Sequence, residues 1–406
     1  MKNLLRGAAP PLILFAAAQL MMGMYSGFYD PSFNNYLSQI YHLSAVARGS
    51  LEFTRELPGF LMVFVFALLA FLPDSRIAML ASLLVGISLW GQGHMAPDMA
   101  WVVFWMLIWS TGAHLFMVLK SSIGLRLAEK NQEGRLLGRL GALESLGILI
   151  GMLFLYLGVH FFHISFAVIF GFSGTCALAA ALLLYLIKPQ PIQKGTRRLM
   201  LKKRYSLFYF LNIVFGARKQ VFLTFAPWVL IKVFNCGVDT FALLGICGTV
   251  LSLLFRPLLG RAIDAWGEKK ILFLESLTLI IICILYGGAA HWLPTKYALV
   301  AVMSCYVIDQ LLIAVTIART TYLSRIADSP DDIGPALSMG LTLDHAVSMT
   351  VPVGGGLIWA QFGFQWVFWI AALVALANLI ASLFMQPKNY QAVDRSEDQG
   401  MQKARD

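Results

Sequence analysis

Lys120-Ser121-Ser122-Ile123-Gly124-Leu125-Arg126-Leu127-Ala128-Glu129 and, about 199 residues later, Arg319-Thr320-Thr321-Tyr322-Leu323-Ser324-Arg325-Ile326-Ala327-Asp328 are one pattern written twice. Basic, hydroxyl, hydroxyl, basic, aliphatic, alanine and acid recur in register. One step further on, Leu143-Glu144-Ser145 is answered by Leu343-Asp344-His345. Both copies close a long apolar run, and charges inside such runs are rare enough for their recurrence to carry information. The chain therefore reads as two related halves.

Composition says what surrounds them. The 406 residues are 59% hydrophobic and only 13% charged. A soluble domain carries about 25% charged residues. With a mean hydropathy of +0.73, lipid must be the main solvent. Apolar runs of spanning length fall at 10–36, 50–72, 76–93, 99–125, 137–159 and 164–187. In the second half they fall at 206–233, 240–259, 270–290, 297–323, 336–359 and 364–385. Each is expected to be a helix, because an isolated strand leaves its backbone unsatisfied in hydrocarbon. The expectation is an all-α membrane protein of twelve transmembrane helices in two pseudo-symmetric six-helix bundles. The first run, preceded by Lys2 and Arg6, is too long for a removable signal segment and is read as a retained span.

The net charge of +10 does not point to nucleic acid, because the basic residues sit in short loops between apolar runs. They lie on alternate loops: Arg76, then Arg126, Lys130, Arg135 and Arg139, then the stretch from Lys188 to Arg204, then Lys269 and Lys270. The opposite loops hold only Arg48, Lys232 and Lys296. By the positive-inside rule both termini are cytoplasmic. A bacterial inner membrane and a monomer are expected. The boundaries expected are 1–188 for the first bundle, 189–204 for a basic linker, 205–387 for the second bundle and 388–406 for a polar tail.

Between the eighth and ninth runs stands Gly260-Arg261-Ala262-Ile263-Asp264-Ala265-Trp266-Gly267-Glu268-Lys269-Lys270. This resembles the loop signature of the major facilitator superfamily. With the twelve runs, the central linker and the repeat, the resemblance covers nearly the whole chain. It implies a secondary transporter working by alternating access, with Gly260, Arg261, Asp264, Gly267 and Lys269 at the cytoplasmic gate. The first-half counterpart, Pro73-Asp74-Ser75-Arg76, lacks the leading glycine and the spacing.

An ionisable side chain at membrane depth needs a cavity or a partner. Asp30 and Asn34 lie late in the first run. Glu52, Arg55 and Glu56 lie early in the second, on one helical face, and form an expected outer gate or ion-pair cluster. Lys120 with Glu144, and Arg319 with Asp344, are expected as repeated buried pairs. Arg218-Lys219-Gln220, at the middle of the seventh run, is the first candidate for substrate binding, since a guanidinium grips a carboxylate or phosphate bidentately. Asp309, Gln310, Lys120, Arg319, His114 and Asn34 are further candidates for substrate. Asp30, Glu52, Arg55, Glu56, Glu144, Asp344 and His345 are candidates for coupling or gating.

The substrate expected is a small organic anion or zwitterion, with protons as coupling ion. Export of amphipathic or cationic compounds is the alternative, and a polytopic enzyme or sensor the reading from a different class. No nucleotide loop, HExxH or nucleophile elbow occurs, and the five cysteines form no metal or redox motif. Neither enzyme activity, cofactor nor metal is expected.

Overall fold

The computed structural model describes residues 10–69, 71–128, 133–189 and 200–385. Most of the expected linker and the tail lie outside them. Fourteen α-helices follow in order: α1 (Pro10–Gln39), α2 (Ala45–Phe60), α3 (Met62–Leu68), α4 (Asp74–His94), α5 (Met99–Leu127), α6 (Glu133–Phe162), α7 (Phe166–Tyr185), α8 (Ser206–Lys232), α9 (Val238–Trp266), α10 (Glu268–Trp292), α11 (Thr295–Leu312), α12 (Thr316–Ile326), α13 (Pro330–Phe362) and α14 (Phe364–Leu383). Only Leu61 parts α2 from α3, and a 3-10 turn, Ile313–Val315, joins α11 to α12. The helices thus stand as twelve columns. Among the described residues, nine of these are long and apolar enough to cross a membrane. The others are α2–α3, α8 and α13, which carry much of the intramembrane charge.

Successive columns run antiparallel, so the molecule has two ends. The near end carries the start of α1 and the residues before α8. The far end carries the loops after α1, α4, α6, α8, α10 and α13. Two far-end helices start with side-chain caps: Ser44 of α2 accepts from Ala47 N and Asp98 of α5 from Ala100 N, satisfying first-turn donors. At the near end Gly267 turns α9 into α10 at φ 79°, a conformation that favours glycine.

Close helix contact rests on missing side chains. Gly23 and Gly27 of α1 face Gly147 and Gly151 of α6. A Cβ on Gly23 would stand 2.2 Å from the Glu144 carbonyl oxygen, and one on Gly147 would stand 2.2 Å from that of Leu20. Small residues four apart let two backbones touch where lipid offers no hydrophobic drive. Helices α1–α7 pack mainly on one another, as do α8–α14. The two sets meet where α2 lies on α13 and α6 on α9. A Cβ on Gly49 would stand 2.2 Å from the Pro352 carbonyl oxygen, and one on Gly356 would stand 2.7 Å from that of Ala45. Both contacts belong to the far end, which is therefore closed.

The repeat is visible in the ion pairs of the near end. Arg126 meets Asp74 at 3.1 Å, and Arg325 meets Glu268 at 3.3 Å. Asp74, the residue retained from the degenerate first-half loop, therefore does hold α4 to α5. Residues just before α8 are tied down as well. Lys202 Nζ and the Tyr205 hydroxyl donate to Asp332 at 2.5 and 2.6 Å. Those two donors hold the Asp332 carboxyl below its ordinary range.

Candidate functional site

A cavity of about 850 Å³ lies between the two halves. One wall comes from α1, α2 and α5, the other from α8, α9 and α11, with α6 and the start of α12 below. It reaches Arg256 and Thr316 toward the near end and stops beneath the α2–α13 contact. Proline and the 3-10 turn shape it, since Pro31, Pro227 and Ile313 all border it.

The cavity carries charge of both signs on an aromatic frame. Asp30 and Asn34 project from α1, Arg48 and Arg55 from α2, Arg256 from α9, and Asp309 and Gln310 from α11. Tyr29, Phe33, Trp109, Phe222 and Tyr306 fill the space among them. Asp30 accepts a hydrogen bond from Ser26, and among the described residues no cation lies within ion-pair distance of it. Arg48 donates to Asn34 at 2.8 Å and to Glu52 at 2.5 Å. Arg55 holds Glu52 at 2.6 Å and Glu56 at 3.1 Å. Residues 52, 55 and 56, spaced on one helical face, form a cluster of contacting charges.

Behind the opposite wall lies a second cluster. Arg218 binds Asp309 and stands 3.8 Å from Glu275. Arg319 binds both oxygens of Glu275, at 2.8 and 3.1 Å. Both guanidiniums lie over the Phe215 ring, at 5.3 and 4.3 Å. Lys219 holds Asp344 at 2.7 Å, where Gly216 leaves the space that carboxylate occupies.

Several expected positions resolve differently. Asn34, Asp309 and Gln310 line the cavity, as does Asp30 with Arg55. Arg218 stands one layer back, behind Asp309, and borders a separate groove of about 350 Å³ between α8, α13 and α14. Lys219, Gln220, Lys120, Arg319 and His114 do not line the cavity. Lys120 and Glu144 form the expected pair, at 2.8 Å. The second expected pair does not form: Arg319 takes Glu275, and Asp344 takes Lys219. The repeat copies the basic position, but α10 supplies a nearer acid than α13. Arg48, expected in a loop, is buried in α2, because Ser44 starts that helix five residues earlier than the apolar run. Its spacing of four from Glu52 was the signal. Tyr29, Trp109, Tyr306 and Arg256 gave no such signal. Of the motif expected at the cytoplasmic gate, Arg261 and Asp264 lie exposed in the last turns of α9 instead of in a loop, and Lys269 donates to the Leu383 carbonyl at 2.6 Å, tying α10 to α14.

Across the interface the ties are of a different kind. Gln220 of α8 donates to Glu52 of α2, and His345 of α13 lies 2.9 Å from Glu56. On the other side His160 and Asp239 approach to 3.6 Å. Each Lys or Arg pair named above stays within a single half.

The architecture matches transporters of known structure. A nucleoside transporter, NupG, superposes with a TM-score of 0.73 at 13% identity, over 92% of this chain and 98% of that one. A D-xylose-proton symporter gives 0.66 at 18%, over 93% and 98%. The xylose transporter XylE from E. coli, in an inward-open conformation, gives 0.67 at 17%, over 94% and 97%. No curated protein sequence matches. The profile of the Major Facilitator Superfamily matches residues 13–339 and 209–405. The chain belongs to the Major Facilitator Superfamily, and it is a membrane transporter rather than an enzyme.

Proposed function

We propose that the protein is a secondary active transporter for a small organic zwitterion or anion, working by alternating access. The observation that carries this reading is the cavity between the halves, with Asp30 on one wall, Asp309 on the other, and Arg48 and Arg55 beside Asn34. A carboxylate of the solute meets the guanidiniums, which present paired donors. An ammonium meets Asp30, with Tyr29 and Trp109 supplying ring faces. With the far end closed, solute enters from the near end. Arg218, set behind Asp309, fixes that acid instead of meeting the solute. Asp30 is the coupling carboxylate of this proposal, since it faces the cavity and, among the described residues, no basic side chain lies within ion-pair distance of it.

Substrate-induced thermal stabilisation of the purified protein tests the solute class. Amino acids and small carboxylates are expected to stabilise it, with the effect lost in Arg55→Gln. Stabilisation by quaternary ammonium compounds alone would favour the export of cations, the reading that Asp30 and the aromatic frame support. In proteoliposomes Asp30→Asn is expected to abolish accumulation driven by a proton gradient while retaining exchange. Unchanged accumulation would remove Asp30 from coupling.

We propose further that the near end is cytoplasmic, from the basic residues it carries. A cysteine at Lys296, which is exposed at the far end, is expected to react with an impermeant thiol reagent in whole cells. One at Lys203, exposed at the near end, is expected not to. The reverse pattern would invert the orientation. A cysteine at Arg48 reports nothing, since that position is buried.

A further inference from the structure

Gly59 of α2 lies beneath two imidazoles. A Cβ on it would stand 2.7 Å from His114 Nε2 and 2.7 Å from His345 Cε1. Its bare Cα lets a ring from α5 and a ring from α13 converge, edge to face, with centroids 5.0 Å apart. Glu56, three residues earlier, completes the group, its Oε2 lying 2.9 Å from His345 Nδ1. One donor atom from each of Glu56, His114 and His345 lies within 4.8 Å of the other two. We infer that these three side chains form a binding site for a divalent transition-metal ion such as Zn²⁺, assembled when the two halves meet at the far end.

Hydrogen bonding around His114 settles which nitrogen is offered. Ser110 has one hydroxyl proton, and donates it to the Arg55 carbonyl. Its Oγ, at 3.1 Å, and its carbonyl oxygen, at 2.8 Å, therefore both act as acceptors toward His114 Nδ1. Nδ1 carries the proton, and Nε2 keeps its lone pair on the side of Gly59 and His345. A backbone carbonyl on the nonligating nitrogen is the usual support of a metal-binding histidine. Glu56 is oriented in the same way. Arg55 holds its Oε1 at 3.1 Å and leaves Oε2 turned toward His345.

Two imidazoles and one carboxylate suit Zn²⁺ or Co²⁺, whereas Mg²⁺ and Ca²⁺ prefer all-oxygen sites. Three ligands leave a fourth position for water. Bond lengths of about 2.0–2.2 Å draw the donors inward by side-chain rotation around Gly59, where no Cβ obstructs them. Glu56 and His345 are buried, and Arg55, which contacts Glu56, lines the cavity. Glu56 and His114 belong to one half and His345 to the other. An arrangement that parts α13 from α2 offers at most two ligands, so a bound ion biases the protein toward far-end closure.

The test is a Co²⁺ titration of the full, tag-free protein after chelator treatment, read by visible absorption. The expected result is saturable binding of one ion per chain, displaced by Zn²⁺, with a chelator-reversible rise in Tm. His114→Ala and His345→Ala should each weaken affinity by about 100-fold. His345→Cys should keep binding and add a thiolate-to-cobalt charge-transfer band. That variant decides the matter if an alanine variant fails to fold. Absence of saturable Co²⁺ binding, equal binding by folded His345→Ala, or no charge-transfer band from folded His345→Cys would each overturn the site. These readouts are independent of transport, so the solute proposal stands or fails separately.

Discussion

Glu275→Ala is expected to destabilise the protein by about 3–5 kcal/mol, the loss that follows when one partner of a buried ion pair is removed. The Glu275 side chain has no exposed surface, and that of Arg319 has 2%. Arg218 keeps Asp309 after the substitution, but Arg319 has no other acid among the described residues within ion-pair distance. Its Nε and Nη1 already lack hydrogen-bond partners there, so losing both Glu275 contacts leaves an uncompensated cation beside Phe215. The measurement is thermal or denaturant unfolding of the detergent-solubilised variants. Glu275→Leu combined with Arg319→Leu should recover most of the loss, because two well-packed apolar side chains replace a buried pair with little penalty. If the double variant is as unstable as the single ones, the two residues do not act as a pair.

Gly49→Val is expected to shift the balance of the two halves away from far-end closure. Even one Cβ there would sit 2.2 Å from the Pro352 carbonyl oxygen, and backbone cannot give way as a side-chain tip does. Overpacking of this sort costs about 1–3 kcal/mol. That changes an equilibrium between two arrangements by roughly 5–150-fold. Nitroxide labels at Ile40 and Phe362, both exposed at the far end, would report a longer distance in the variant. Gly354→Val is the control, since a Cβ there meets nothing within 4 Å. Equal distance distributions in the two variants would mean that the Gly49 contact does not hold the far end shut.

How far these features could be read in advance depends on the range of the interaction. Span positions were legible because hydrocarbon imposes a length and a composition on each helix. Lys120 and Glu144 were legible as partners because a charge at that depth requires one and the repeat marked both. Arg319 shows the limit of the same argument. A repeat preserves where a base stands, but two acids, Glu275 and Asp344, were within its reach, and only packing chooses between them. Arg48 was misplaced for a related reason, because loop counting takes a basic residue between apolar runs to be solvated. The walls of the cavity were mostly illegible. Tyr29, Trp109 and Tyr306 look like any apolar-run aromatics, and His114 and His345 meet only because separate halves bring α5 and α13 over one glycine.

The contrast between ties within a half and ties across the interface sets a condition on speed. A fastening that opens once per transport cycle adds its strength to the barrier of every cycle, and each additional 1.4 kcal/mol or so slows opening about tenfold. In the proposed alternating-access cycle, cation–carboxylate pairs within one half, such as Arg218–Asp309 and Lys219–Asp344, stay intact while that half moves as a body. The seam is held by an amide on Glu52, an imidazole on Glu56 and glycines against backbone. Such a seam is strong enough to define a resting position and weak enough to be left often. Replacing Gln220 by a lysine would, on this view, convert a latch into a lock, with solute binding preserved and turnover lost.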